Sequence, residues 1–168
     1  MTLVTITYGS ILGFLPIYAV NRGVADVGLF FTVFAISLLI VRPIFGKLTD
    51  ILGFDYVVIP SLISVLIGMI ALSTATSLGS FLLVGLIYGI GFGGCHSSLQ
   101  TMAILNTPRE RLGAANATFF TGFDLGIGLG SILFGIFAAQ LGYQLMYGLT
   151  TIAIVAALIY YLIVRRNK

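Results

Sequence analysis

Three polar side chains, those of Asp124, His96 and Gln100, stand inside long apolar runs of the sequence. A carboxylate in such a run is costly to bury, so it is expected to be paired, protonated or in contact with water. Histidine changes its charge in the physiological pH range when water reaches it. Gln100 follows His96 by one helical turn, so both side chains can face one cavity. These residue types predict a pathway for protons or a polar substrate.

Each of these residues also has a purely structural interpretation. Asp124 can hydrogen-bond to the backbone of a neighbouring helix, and His96 can be a neutral residue bonded between two helices. Gln100 can hold two helices together in the same way. The sequence leaves both interpretations open for all three residues.

A second set of candidate residues lies between two apolar runs, in segment 42–53. Its members are Arg42, Gly46, Lys47, Asp50 and Gly53. A charged connector with glycines between two membrane-length segments is typical of a cytoplasmic turn between transmembrane helices. Arg42 has a simpler interpretation as well, because an arginine near the end of a span can extend its guanidinium to the lipid headgroups.

The sequence lacks the residue patterns of enzymes. It contains no GxSxG, HExxH or phosphate-binding loop. The single Cys95 excludes an internal disulfide and a CxxC metal site. His96 is followed by Ser97 and Ser98, but neighbouring residues on a helix point in different directions and do not form a nucleophile–base pair. We therefore expect a protein that is not an enzyme, and the sequence implies no cofactor or metal.

The composition indicates a membrane protein. The chain is 59% hydrophobic and 8% charged, whereas a soluble domain has about 25% charged residues. So few charges cannot cover a water-facing surface, so the expected surroundings are a lipid bilayer. The net charge of +3 does not indicate a nucleic-acid partner, because the basic residues lie at the ends of apolar runs and form no continuous patch.

The apolar runs predict an all-α domain with six transmembrane helices over residues 1–168. Each run approaches the ~20 residues that are needed to cross a bilayer. The runs are too long for strands and lack the alternation that strands require. The predicted spans are 3–20, 27–45, 56–76, 80–105, 113–140 and 143–164.

The basic residues predict the orientation of these spans. With six spans, Arg42, Lys47, Arg109 and Arg111 fall on one side and Arg22 on the other. The basic tail also falls on the first side; it consists of Arg165, Arg166 and Lys168. Because Lys and Arg remain in the cytoplasm, both termini are expected to be cytoplasmic.

Glycine rows distinguish the fourth and fifth spans from the others. Gly89 and Gly93 are four residues apart, as are Gly122, Gly126 and Gly130. Residues at this spacing share one face of a helix, and in lipid such rows let two backbones approach closely. We expect these faces to be helix contacts.

Several motifs, in their order along the chain, resemble the major facilitator superfamily, and its bacterial drug- and sugar-efflux members in particular. The connector matches the family's signature loop G-x-L-x-D-x-x-G at Gly46, Leu48, Asp50 and Gly53. Segments 8–9, 14–19 and 30–31 look like those efflux members, as does Arg42-Pro43. Segments 89–93 and 99–100 are similar to the family's tenth helix, and 113–118 and 124–130 to its eleventh.

The resemblance implies helices seven to twelve, the carboxyl-terminal half of a twelve-helix transporter. Such a half consists of two inverted three-helix repeats, and substrate binds between the halves near the midplane. Gly46 would permit close helix contact at the cytoplasmic gate, and Asp50 would face the positive N-terminal end of another helix. Tyr8, in a motif of the first span, is a further candidate for the substrate and proton pathway.

The connector departs from the family pattern in its basic residues. The family loop usually continues with Arg or Lys, whereas this chain has Ile51, Phe54 and Asp55 at those places. The resemblance therefore implies a weaker latch, or one that depends on Lys47 and Arg42.

We expect a secondary transporter in the cell membrane of a bacterium, which exports small molecules by alternating access with proton coupling. The expected partners are the lipid bilayer, a small-molecule substrate, and either an amino-terminal six-helix half or a second copy of the chain. The alternative is a truncated or split six-helix membrane protein without transport activity of its own.

Overall fold

A computed structural model describes residues 1–166 of the chain, and these residues are almost entirely helical. Five long helices follow one another: α1 (Thr2–Asn21), α2 (Gly28–Leu52), α3 (Asp55–Thr74), α4 (Leu78–Leu105) and α5 (Leu112–Arg166). A 3₁₀ turn, Arg109–Arg111, precedes α5. No strand occurs among these residues, which confirms the all-α prediction. Asn167 and Lys168, the latter a member of the predicted basic tail, lie outside the described part.

The structure has five continuous helical segments rather than the predicted six, because the last two predicted spans meet at Gly142 without a connecting loop and both lie within α5. This helix has 55 residues and would be about 80 Å long if straight, far more than the ~30 Å of a bilayer core. It contains one residue with non-helical backbone angles, Gly142, at φ 79° and ψ 162°. The left-handed φ is accessible to glycine without steric cost, and no loop separates the two parts.

Contacts with α1 show that the chain reverses direction at Gly142. The hydroxyl of Ser131 donates to the carbonyl of Gly9 at 3.1 Å, and that of Tyr147 donates to the carbonyl of Ser10 at 3.4 Å. In a straight helix Ser131 and Tyr147 would be about 24 Å apart, yet they bond to adjacent residues. Residues 112–141 and 143–166 therefore both pack against α1.

Glycine faces hold the helices close together, as the sequence predicts. A Cβ atom at Gly126 would lie 2.6 Å from the carbonyl oxygen of Thr2, and one at Gly130 would overlap the carbonyl oxygen of Ile6. On α4, a Cβ at Gly89 would lie 3.0 Å from the carbonyl oxygen of Phe34. Only glycine permits these backbone approaches, so α5 seats on α1, and α4 on α2, through glycine.

The outer surface of the bundle is apolar. All five helices are long and hydrophobic enough to cross a membrane, and Leu39 and Ile51 are exposed over 74% and 78% of their surface. Two buried hydroxyl groups of α1 are satisfied within their own helix: Thr7 donates to the Val4 carbonyl and Ser10 to the Thr7 carbonyl. Such internal satisfaction is what a lipid environment requires.

Candidate functional site

An aromatic cluster occupies the space between α1, α2, α4 and the first part of α5. Its central residues are Tyr8, Phe34, Phe92, His96 and Phe123. The ring of Tyr8 lies 4.8 Å from that of Phe92 and 5.4 Å from that of Phe34. The ring of Phe92 is 6.5 Å from His96, which in turn lies 5.4 Å from Phe123. The fold thus connects Tyr8 and His96, two predicted pathway residues, through Phe92.

His96 packs against several aromatic rings. Its ring is perpendicular to those of Phe119 and Phe123, at centroid distances of 5.5 and 5.4 Å. The residue is 7% exposed, and within residues 1–166 its imidazole makes no hydrogen bond. The alternative of a histidine bonded between two helices is therefore not observed in this part of the chain.

Gln100 connects α4 to α5 one turn further along α4. Its amide donates to the side-chain oxygen of Asn116 at 2.9 Å. Asn116, Phe119 and Phe123 recur at helical spacing, so one face of α5 meets both Gln100 and His96. Within the described residues His96 contacts the aromatic rings and Gln100 contacts the amide of Asn116. The structural interpretation of Gln100, a bond between two helices, is the one that is observed.

Asp124 lies outside the aromatic cluster. Its side chain is exposed, and it lines an open groove on the outer face of α5 with Thr121, Leu125 and Gly128. No ion pair or hydrogen bond of Asp124 occurs within residues 1–166. The bond to a neighbouring helix that the structural interpretation requires is not observed in the described part of the chain.

The predicted gate residues lie on a helix rather than in a connector. Helix α2 continues to Leu52, and Gly53, at φ 93°, follows its end. The last turns of a helix tolerate the exposed polar residues Arg42, Lys47 and Asp50, which the sequence interpretation assigned to a turn. Among the described residues none of the three makes a salt bridge.

Gly46, the small residue of the gate motif, makes no close packing contact with the described residues of other helices. A Cβ atom added there would meet no other atom within 4 Å. The close helix contact that the resemblance implies is therefore not made with α1, α3, α4 or α5.

Sequence reasoning missed a polar contact that joins α3 to the end of α5. The Nε of Arg165 lies 2.8 Å from Oδ2 of Asp55, and the hydroxyl of Tyr161 donates to Oδ1 of Asp55 at 2.8 Å. The only sequence signal was Asp55 itself, an acid where the family loop usually has a basic residue.

The two ends of the bundle differ in charge. At one end, called the basic end below, the start of α3 and the ends of α4 and α5 line a single cleft that includes Asp55, Asn106 and Arg165. The end of α2 and the 3₁₀ turn Arg109–Arg111 directly adjoin these segments along the chain. At the opposite end Arg22 donates to Gln144 at 2.7 Å. The separation of basic residues expected from the sequence is therefore a feature of the folded chain.

The helical fold and its charge distribution define a multi-pass membrane protein, and sequence comparison identifies the family. A model of the Major Facilitator Superfamily matches residues 1–168. The chain belongs to this superfamily of membrane transporters. The expected membership is confirmed.

Individual curated transporters are similar to most of this chain. The chain is 30% identical over 159 residues to an uncharacterized MFS-type transporter of Methanocaldococcus jannaschii, which covers 93% of this chain and 41% of the relative. It is 25% identical over 168 residues to multidrug resistance protein MdtG of Citrobacter koseri, and the match covers 96% of this chain and 41% of that relative. It is 27% identical over 150 residues to multidrug resistance protein MdtG of Serratia proteamaculans, and that match covers 85% of this chain and 36% of the relative. The chain spans about two fifths of the length of these curated relatives.

Proposed function

We propose that residues 1–168 form one domain with six membrane crossings, the carboxyl-terminal half of a twelve-helix transporter. The fifth and sixth crossings are residues 113–140 and 143–164, the two parts of α5 on either side of Gly142. The domain would consist of two inverted three-crossing repeats, the first ending with α3 and the second starting with α4. Membership of the superfamily and the short share of each relative that is covered support this assignment.

The observation that carries this proposal is a set of exposed polar and small residues without partners within residues 1–166. Asp124 on α5 and Asp50 on α2 are both exposed, and neither makes an ion pair within residues 1–166. Gly46 leaves open space beside α2. A carboxylate on a transmembrane helix is too costly to face lipid, so water or further helices must cover these surfaces. An amino-terminal half, or a second copy of the chain, would do so.

The function proposed for the complete transporter is proton-coupled export of small molecules by alternating access. The name multidrug resistance protein, carried by relatives, supports export. The aromatic cluster of Tyr8, Phe34, Phe92, His96 and Phe123 supports a small-molecule substrate, since ligand sites are mostly apolar with a few polar groups.

In the proposed mechanism, one half rocks against the other and two carboxylates respond. Asp50 would bind the positive end of a helix in the opposite half and stabilise the outward-facing state. Asp124 would lose its proton where water reaches the groove and regain it when that groove closes, because a low dielectric favours the neutral carboxyl group. Proton movement would then be linked to the rocking.

A substrate-panel efflux assay on the complete transporter tests this function. Cells with the transporter should accumulate less of at least one compound, and an uncoupler should abolish the difference. Accumulation unchanged across the panel, with the protein in the membrane, would favour the alternative of a split or truncated six-helix protein without transport activity. An adjoining reading frame with six more spans would identify the amino-terminal half. Crosslinking in detergent distinguishes that half from a second copy.

The proposed topology places the basic end and both termini in the cytoplasm. Cysteine labelling tests it cleanly, because the native Cys95 is buried. A cysteine at Lys47 should react only with a membrane-permeant reagent in intact cells, and a cysteine at Asp26 should also react with an impermeant one. The reverse pattern would contradict the orientation.

A further inference from the structure

A cleft of about 440 Å³ lies at the basic end, between the start of α3 and the ends of α4 and α5. Its apolar wall includes Leu99, Met102 and Val164. A smaller cavity of about 270 Å³ shares Leu99 and Tyr161 with it and extends to the start of α1. The cleft therefore combines a deep apolar surface with the level at which these helices end.

The cationic group in the lining of this cleft is the guanidinium of Arg165. Its Nε contacts one oxygen of Asp55, and the hydroxyl of Tyr161 occupies the other oxygen of the same carboxylate. A guanidinium has five N–H donors, so the terminal nitrogens of Arg165 retain four. These have no partner within residues 1–166, and the side chain is 52% exposed. The pair thus fixes Arg165 in place while leaving its donors available.

The other polar groups of the lining add one hydroxyl and one amide. Tyr160 is 67% exposed, and its hydroxyl has no partner within residues 1–166. Asn106 donates its amide to the carbonyl of Met102 at 2.7 Å. Available donors beside an apolar wall fit a ligand with an oxyanion and a hydrocarbon chain.

We propose that this cleft binds one glycerophospholipid of the membrane. The terminal nitrogens of Arg165 donate to the phosphate oxygens, as arginine does in bidentate phosphate contacts. Leu99, Met102 and Val164 contact an acyl chain. The level of the cleft is suitable, because headgroups lie where membrane-length helices end. The site is separate from the aromatic cluster and does not depend on transport.

The test counts lipid molecules that remain bound to the purified chain. Delipidated protein in detergent is titrated with phosphatidylglycerol, and complexes are counted by native mass spectrometry. One lipid should bind more tightly than the rest. The change Arg165→Gln should weaken that one at least about tenfold, which corresponds to the loss of a hydrogen bond to a charged group.

Two matched variants separate the site from general electrostatics and from structural damage. Arg166→Gln removes the same charge from the next residue, which does not line the cleft, and should weaken binding no more than about fivefold, as expected for one surface charge. Asp55→Asn removes a competing negative charge but keeps a side-chain oxygen that can still accept from Nε of Arg165 and hold it in place, so binding should be equal or tighter. Filling the apolar wall by Met102→Trp should weaken lipid binding without any change of charge.

Three results would overturn the proposal. Equal loss in Arg165→Gln and Arg166→Gln would mean nonspecific attraction of anionic lipid. Loss in Asp55→Asn as large as in Arg165→Gln would mean that the ion pair is only structural. Displacement of the lipid by inorganic phosphate at millimolar concentration would mean a site for a free anion.

Discussion

Two faces of α5 contain the same residue type in opposite surroundings. Gly126 and Gly130 meet the backbone of α1 so closely that a Cβ atom could not be added. Gly128 lies between them in sequence but on the other face, beside Asp124, where an added Cβ would meet nothing within 4 Å. The inner face is therefore packed against α1, whereas the outer face at Gly128 has no neighbour among the residues that the structure describes.

Glycines on α4 and at the end of α2 also differ in whether they touch a neighbouring helix. A Cβ atom added at Gly91 on α4 would lie 2.6 Å from the carbonyl oxygen of Ser61. The absence of a side chain at Gly91 therefore allows α4 to pack closely on α3. Gly46 on α2 stands in open space. Glycines with close contacts thus stabilise this domain, and glycines without them are available to a partner. Mutations on the two kinds of surface should have different consequences.

The largest effect is expected at the inner face of α5. Gly130→Leu would force α5 away from α1 and should lower the free energy of unfolding by about 3 kcal/mol or more. Gly128→Leu, two residues earlier on the outer face, should change it by less than about 0.5 kcal/mol. Thermal unfolding in detergent, followed by circular dichroism, measures both. Similar losses in the two variants would mean that the faces do not differ.

A large functional effect without loss of stability is expected at Asp124. In the complete transporter, Asp124→Asn should remove most of the pH-dependent part of transport, because an amide cannot exchange a proton. Its thermal unfolding should match that of the unmodified protein. Glu110→Gln, in the exposed 3₁₀ turn, is the control and should transport normally. An unchanged pH profile in Asp124→Asn would exclude this carboxylate from the coupling.

A smaller, partial loss of transport is expected at Gly46. Gly46→Leu has room within this chain, so the domain should fold, but the bulky side chain should obstruct a helix of the opposite half at the gate. Gly79→Leu is matched to it, since Gly79 also stands in open space but lies at the start of α4, at the other end. Full activity of Gly46→Leu would show that no helix approaches there.

The smallest effect is expected at the bond between α4 and α5. Replacing Gln100 by Leu removes its hydrogen bond to Asn116, and such bonds in membranes contribute about 0.6 kcal/mol on average. Transport should change little if Gln100 only connects the helices. The double variant Gln100→Leu/Asn116→Leu should be no less stable than the single one. A loss of transport in the single variant, with unchanged stability, would indicate that Gln100 takes part in the substrate or proton pathway.

Local sequence determined the helical class well, but it did not determine the helix count or the end of α2. Apolar runs of membrane length can satisfy their backbone only as helices, so the all-α class followed directly. The helix count did not follow, because the reversal at Gly142 uses one residue and leaves no polar connector. The end of α2 was also placed too early, since charged residues at a helix end look the same in sequence as a connector.

The candidate site was only partly predictable, because its members come from distant parts of the chain. Polarity within apolar runs pointed to His96 and Asp124 but could not show that they lie on different surfaces. Phe92 and Phe123 gave no signal, since phenylalanine is ordinary in a membrane helix. Asp55 and Arg165 are in contact although almost the whole domain separates them in sequence.

The sequence by itself determined that this chain is a helical membrane protein of a transporter superfamily, because hydrophobicity, charge placement and short motifs are local properties. Only the tertiary structure decided which polar and small residues are used internally and which are exposed. That division depends on the rotation and contact of whole helices. The close approach of two helix backbones at Gly126 and Gly130 depends on both helices, so it cannot be deduced from the sequence of either helix alone.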